Sequence, residues 1–157
     1  MALVIAVIRQ QSDWKLVFFG DLTWPKILSI AITCGLLLPG LALAAELGVR
    51  AALHIPDDGH TITSPNLTFS ALALLLAPLA ETALFQLWIQ SSVKRSPLLA
   101  VFVGATLFIA VHLRLDAPLV TVAFAYATVW QRWRSFGAVW LSHAVSNGAL
   151  IVLTLFT

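Results

Sequence analysis

Residues 67–90 read LTFSALALLLAPLAETALFQLWIQ, a run with one ionisable side chain, Glu81. About 20 mainly apolar residues suffice to cross a bilayer as a helix. Apolar and polar residues do not alternate along the run, which excludes a half-buried strand, and an open sheet cannot stand in lipid. Four further apolar segments share its character: 25–53, 97–112, 118–130 and 136–156. The pattern predicts an all-α fold, a polytopic membrane helix bundle with about five transmembrane helices. Segments 97–112 and 118–130 are short for a span. They are expected to pack inside the bundle or to be extended by their polar flanks.

Composition points the same way. Of the 157 residues, 60% are hydrophobic and 10% charged, and the mean hydropathy is +0.94. Soluble domains carry about 25% charge, so a water-soluble fold of this size could not cover its surface with polar groups. The partner implied is the lipid bilayer. The net charge of +2 is spread singly or in pairs at segment ends, and no nucleic-acid partner is expected. Cys34 is the only cysteine, so no internal disulfide can form. The opening MALVIAVIRQQSDWK has an apolar run too short for a span and no cleavage pattern, and reads as part of the mature protein.

The loop HIPDDGHTITSPN divides the chain. Residues 1–66 hold the first helix and an external loop, and residues 67–157 form a four-helix unit. With a cytoplasmic N-terminus, Arg9, Lys15, Lys26, Lys94, Arg95, Arg132 and Arg134 lie inside, against Arg50 and Arg114 outside, which accounts for all 9 basic residues. The positive-inside rule favours this orientation, and Trp24, Trp88, Trp130 and Trp133 collect at the same inner ends as an aromatic belt. The location expected is an integral, multi-pass protein of the plasma membrane.

Ionisable residues inside a span are costly, on the order of 2.5–3.5 kcal/mol when charged at the centre, and mark function by default. Glu81 lies within its segment, three residues after Pro78, with Thr82 and Gln86 at i, i+4 spacing beside it. His112 ends the third segment, four residues after Phe108, and His143 and Asn147 share one face of the fifth. Each has a structural alternative. Glu81 suits a neutral interhelical clamp, His112 an interfacial ring, and His143 with Asn147 interhelical glue beside Ser142, Ser146 and Gly148. Together they amount to more. A carboxylate and a histidine can take a proton from water, and a second histidine with an amide can stabilise an oxyanion. Glu46 and Arg50 read as a local ion pair. His54, Asp57, Asp58 and His60 in the loop match no metal-ligand spacing.

Three motifs in order resemble the CPBP intramembrane proteases, also called the ABI or type II CAAX prenyl endopeptidase family. PLAETALFQL, residues 78–87, resembles that family's Pro-x-x-Glu-Glu-x-x-Phe-Arg-Gly. Phe108 to His112 matches Phe-x-x-x-His, and His143 to Asn147 matches His-x-x-x-Asn. The resemblance covers residues 67–157 and implies a glutamate-type intramembrane endopeptidase. Glu81 and His112 would activate water, and His143 and Asn147 would hold the oxyanion. The substrate implied is a membrane-associated peptide or protein, and no cofactor is required. The sequence departs from the family at Thr82, Gln86 and Leu87, where the pattern has Glu, Arg and Gly. Thr82 and Gln86 take the supporting positions, and a hydrogen bond between them is the expected replacement for the charged pair. Two other readings stay open. One is a non-catalytic membrane binding or immunity protein of the same fold. The other is a zinc protease with Glu81, His112 and His143 as ligands, although no HExxH occurs. A rhomboid-type serine protease has no nucleophile motif to support it. Glu81, His112, His143 and Asn147 are expected to line one polar cavity near mid-membrane.

Overall fold

The computed structural model describes residues 14–54, 72–113 and 115–156. All regular structure among them is helical. Helix α1 is Trp14–Phe19, and α2 covers 24–52. Helix α3 covers 72–90, α4 is Pro97–His112, α5 is Ala117–Trp133 and α6 is Phe136–Phe156. The five predicted segments therefore correspond to α2 through α6, and α1 is an addition that apolar length could not reveal. Segment 118–130 grows into a 17-residue helix because Gln131, Arg132 and Trp133 continue it at the polar flank. Residues 67–71, Asp57, Asp58, His60 and Arg114 lie outside the described residues.

Proline and short polar residues set the helix starts. Ser96 before Pro97 and Thr23 before Trp24 and Pro25 are extended, and each proline sits in a first turn where its missing N–H costs nothing. Asp116 caps α5 by accepting from the Leu119 N–H at 2.8 Å. Glu46 forms the expected pair with Arg50 at 3.0 Å. Its other oxygen accepts from the Ala117 N–H at 3.0 Å, so a residue of α2 also caps α5. Ser135 accepts from the Ala138 N–H at 3.2 Å and donates to the Phe18 carbonyl at 2.8 Å, fastening α1 to the start of α6. The turn after α1 is made by Gly20 at φ +56°, where a Cβ would stand 2.1 Å from the Trp133 carbonyl oxygen.

Wide, π-type turns interrupt two helices, at Thr33–Leu37 in α2 and at Leu72–Leu76 and Thr82–Gln90 in α3. Such turns pair i with i+5 and collect at functional sites. Pro39 has no N–H for the carbonyl of Gly35, four residues before it. That carbonyl accepts from Ser146 Oγ on α6 at 2.7 Å. Near Pro78, the Leu75 carbonyl accepts from Trp140 Nε1 at 3.2 Å.

The core lies where α3, α4, α5 and α6 meet, around Phe85, Phe108, Tyr126, Ala127 and Val139, and α2 closes it with Ile27. Gln90, fully buried, ties α3 to α5 by donating to the Ala127 carbonyl at 2.7 Å. Lys15–Ala52 is long and apolar enough to cross a membrane. Leu28, Leu37, Leu41 and Leu47 face outward from it. Leu74–Gln90, Pro97–His112 and Phe136–Val152 are apolar but shorter.

Candidate active site

Glu81 is the last residue of the short α-helical stretch Ala77–Glu81, and the wide turns of Thr82–Gln90 begin directly after it. This change of pitch sets the carboxylate in the bundle interior beside two other helices. Glu81 Oε2 lies 3.6 Å from His112 Nε2 on α4 and 3.5 Å from His143 Nε2 on α6. The oxygen is buried and accepts no hydrogen bond. Both separations exceed a direct hydrogen bond, and both imidazoles aim the same nitrogen at one oxygen.

Aromatic rings hold the imidazoles. The His112 ring lies 4.4 Å from the Phe108 ring, one turn earlier on α4. Its Nδ1 lies 2.7 Å from the Phe108 carbonyl oxygen. A carbonyl only accepts, so Nδ1 carries a proton, and in a neutral ring Nε2 is left as an acceptor. His143 sits between Phe108 at 5.5 Å and Tyr126 at 5.2 Å, ring centre to ring centre. Asn147 follows one turn later on α6, half-buried.

Proton counting defines what the cluster can do. A carboxylate oxygen and a bare imidazole nitrogen are both acceptors, so they approach favourably only with a proton or a donor between them. A buried acceptor without a donor is rare enough to need a reason, and a catalytic role is one.

The expected bond between Thr82 and Gln86 is absent. Both residues are buried, but Thr82 Oγ1 has no hydrogen-bond partner. Pairing i with i+5 places Leu87, not Gln86, one turn below Thr82. Sequence reasoning passed over Tyr126, whose ring packs against His143, and gave Ser146 only a packing role. The signal available was that Tyr126 is the single tyrosine of the chain and that Ser146 lies between His143 and Asn147. Among the described residues no three His, Cys, Asp or Glu side chains are grouped as metal ligands are.

The sequence model of the Rce1-like type II CAAX prenyl endopeptidases matches residues 63–149, more than half of the chain. No curated protein and no solved structure matches it. The matched stretch includes Glu81, His112, His143 and Asn147, and the chain belongs to the Rce1-like type II CAAX prenyl endopeptidase family.

Proposed function

We propose that the chain is a glutamate-type intramembrane endopeptidase that hydrolyses an amide bond in a membrane-associated peptide or protein. The observation that carries this reading is the unpaired Glu81 Oε2, buried between two imidazoles from two other helices. A water beside Glu81 and His112, about 2.8 Å from each acceptor, donates one hydrogen to each. Its oxygen then attacks the scissile carbonyl carbon, and the released proton passes to the Glu81–His112 pair. The carbonyl electrons move onto oxygen, where His143 and Asn147 supply N–H donors. When the C–N bond breaks, the same proton goes to the leaving amine. The scheme uses protein groups alone, without a metal and without a covalent intermediate.

Five membrane-spanning helices and a cytoplasmic N-terminus belong to the same proposal. The charge distribution, the tryptophans at one end of the bundle and the outward leucines of α2 support it. Maleimide labelling of cysteines placed at Asp57 and Arg132, in a Cys34→Ala background, tests it. Labelling of both from one side of the membrane refutes it. For the chemistry, the purified protein is reconstituted with membrane-anchored peptides, with and without a strong chelator. Cleavage should survive the chelator. Loss on chelation and recovery with zinc would transfer Glu81, His112 and His143 to a zinc site.

One observation favours a second reading. Thr82 and Gln86 are neutral and buried where the family pattern carries a glutamate and an arginine, as in a binding or immunity protein that has kept the fold. Restoring both charges, Thr82→Glu with Gln86→Arg, separates the two. Activity that appears only in the double variant identifies the natural chain as non-catalytic.

A further inference from the structure

Beside His143 runs a chain of hydroxyl groups that the scheme above does not use. Tyr126 is fully buried on α5, with its ring tilted 34° to the His143 ring. Its hydroxyl lies 2.7 Å from Ser146 Oγ, and Ser146 Oγ lies 2.7 Å from the Gly35 carbonyl oxygen of α2. The direction of the chain is fixed at its end. A carbonyl cannot donate, so the Ser146 proton points to Gly35, and the Tyr126 proton goes to Ser146 at 2.7 Å, the nearer of its two acceptors, the Ser142 carbonyl oxygen lying 3.4 Å away. Pro39 leaves the Gly35 carbonyl without its α-helical donor. Residue 35 must also be glycine, because a Cβ there would meet the Ser142 carbonyl oxygen at 2.3 Å. The wide turn of α2 is thus pressed on the turn of α6 that carries His143.

We propose that Tyr126 and Ser146, anchored on the Gly35 carbonyl, are positioning residues that fix the His143 ring and the rotation of α6 for oxyanion stabilisation. Ser146 lies between His143 and Asn147, so one bond from it to α2 sets the aim of both. Tyr126 backs the imidazole, and its own hydroxyl stops it from turning. Helix α2, outside the family-matched residues, thereby becomes part of the active centre. The inference rests on the oxyanion role proposed above.

Its test compares Tyr126→Phe, Ser146→Ala and the double variant with the unmodified protein in the reconstituted peptide assay. Thermal unfolding and histidine-selective nitrogen NMR are recorded on the same samples, with the His143 signal assigned from His143→Gln. The expected result is a kcat about tenfold lower in each single variant at unchanged KM. The double variant should be no worse than the poorer single one, as for groups acting as a unit. The His143 signal should move, and Ser146→Thr should restore the rate. Unchanged kcat and an unmoved His143 signal, with lower thermal stability alone, would reduce the chain to a structural clamp and overturn the inference. If the unmodified protein cleaves nothing, the proposed function fails separately. The His143 signal then decides alone: a shift in both single variants upholds positioning, and no shift rejects it.

Discussion

Glu46 and Glu81 are the two glutamates of the chain, and their side chains are similarly exposed, 21% and 28%. Glu46 has both oxygens in use, one on Arg50 and one on the Ala117 N–H. Glu81 has a buried oxygen that accepts nothing, with two imidazole nitrogens held just beyond bonding distance. Burial does not separate the two residues; pairing does. A paired carboxylate joins helices. An unpaired one, with rings packed behind its neighbours, has the open acceptor that the proposed proton transfer needs.

The harshest way to break this contrast is to replace each carboxylate by its amide. Glu81→Gln keeps shape and removes the base, and should lower cleavage by about 10²–10⁴-fold while the thermal unfolding curve stays in place. Glu46→Gln should leave cleavage near the unmodified level, measured on the same reconstituted peptide. The opposite pattern would move the chemistry to the end of the bundle where α2 caps α5.

The proposed oxyanion role of Asn147 is tested next. Asn147→Ala removes one donor and should lower kcat by about 10²–10³-fold, the usual cost of losing such a group, with little change in KM. A rise in KM at constant kcat would assign Asn147 to substrate binding instead.

Much of the helical frame was legible in the sequence, because apolar length and proline placement act locally. Pro97 opens α4 and Pro118 sits in the first turn of α5, as expected where a missing N–H is harmless. Convergence was legible only as an expectation. Glu81, His112 and His143 stand out because charge is costly in an apolar segment, but no spacing gives a distance between helices. The hydroxyl chain was not legible. Tyr126, Ser146 and Gly35 are far apart in sequence, and the link arises from a carbonyl that Pro39 leaves open. The Thr82–Gln86 bond failed for the converse reason, since i, i+4 spacing assumes an α-helix and the wide turns of Thr82–Gln90 change the register.

A smaller effect sharpens the structural side. Glu46→Ala removes the second cap of α5 and the pair with Arg50. Caps contribute about 0.5–2 kcal/mol and such pairs about 0.2–0.5 kcal/mol. Unfolding in detergent should therefore show a loss of about 1–2 kcal/mol. Asp116 still caps the same helix, so the α5 start survives. A loss no larger than that of an exposed substitution would mean that Asp116 suffices alone.

The smallest effect concerns Thr82, a second buried atom without a partner, one residue from Glu81. Leaving a hydroxyl unpaired in the interior costs about 1–3 kcal/mol of desolvation. Valine has the same branching at Cβ and nearly the same volume, so Thr82→Val removes the oxygen without opening a cavity. Stability should rise by about 1 kcal/mol, which for a chain of this size is a gain of about 2–4 °C in Tm. A fall instead would mean that a donor or acceptor reaches Thr82 in the membrane, and that its hydroxyl belongs with the paired carboxylate of Glu46. The sign also bears on the charged pair of the family pattern. If the site is destabilised by an unpaired hydroxyl, a lone carboxylate from Thr82→Glu should destabilise it more. The accompanying Gln86→Arg restores the positive charge of the family pattern, which the long arginine side chain must carry across the changed register, so the two positions are changed together.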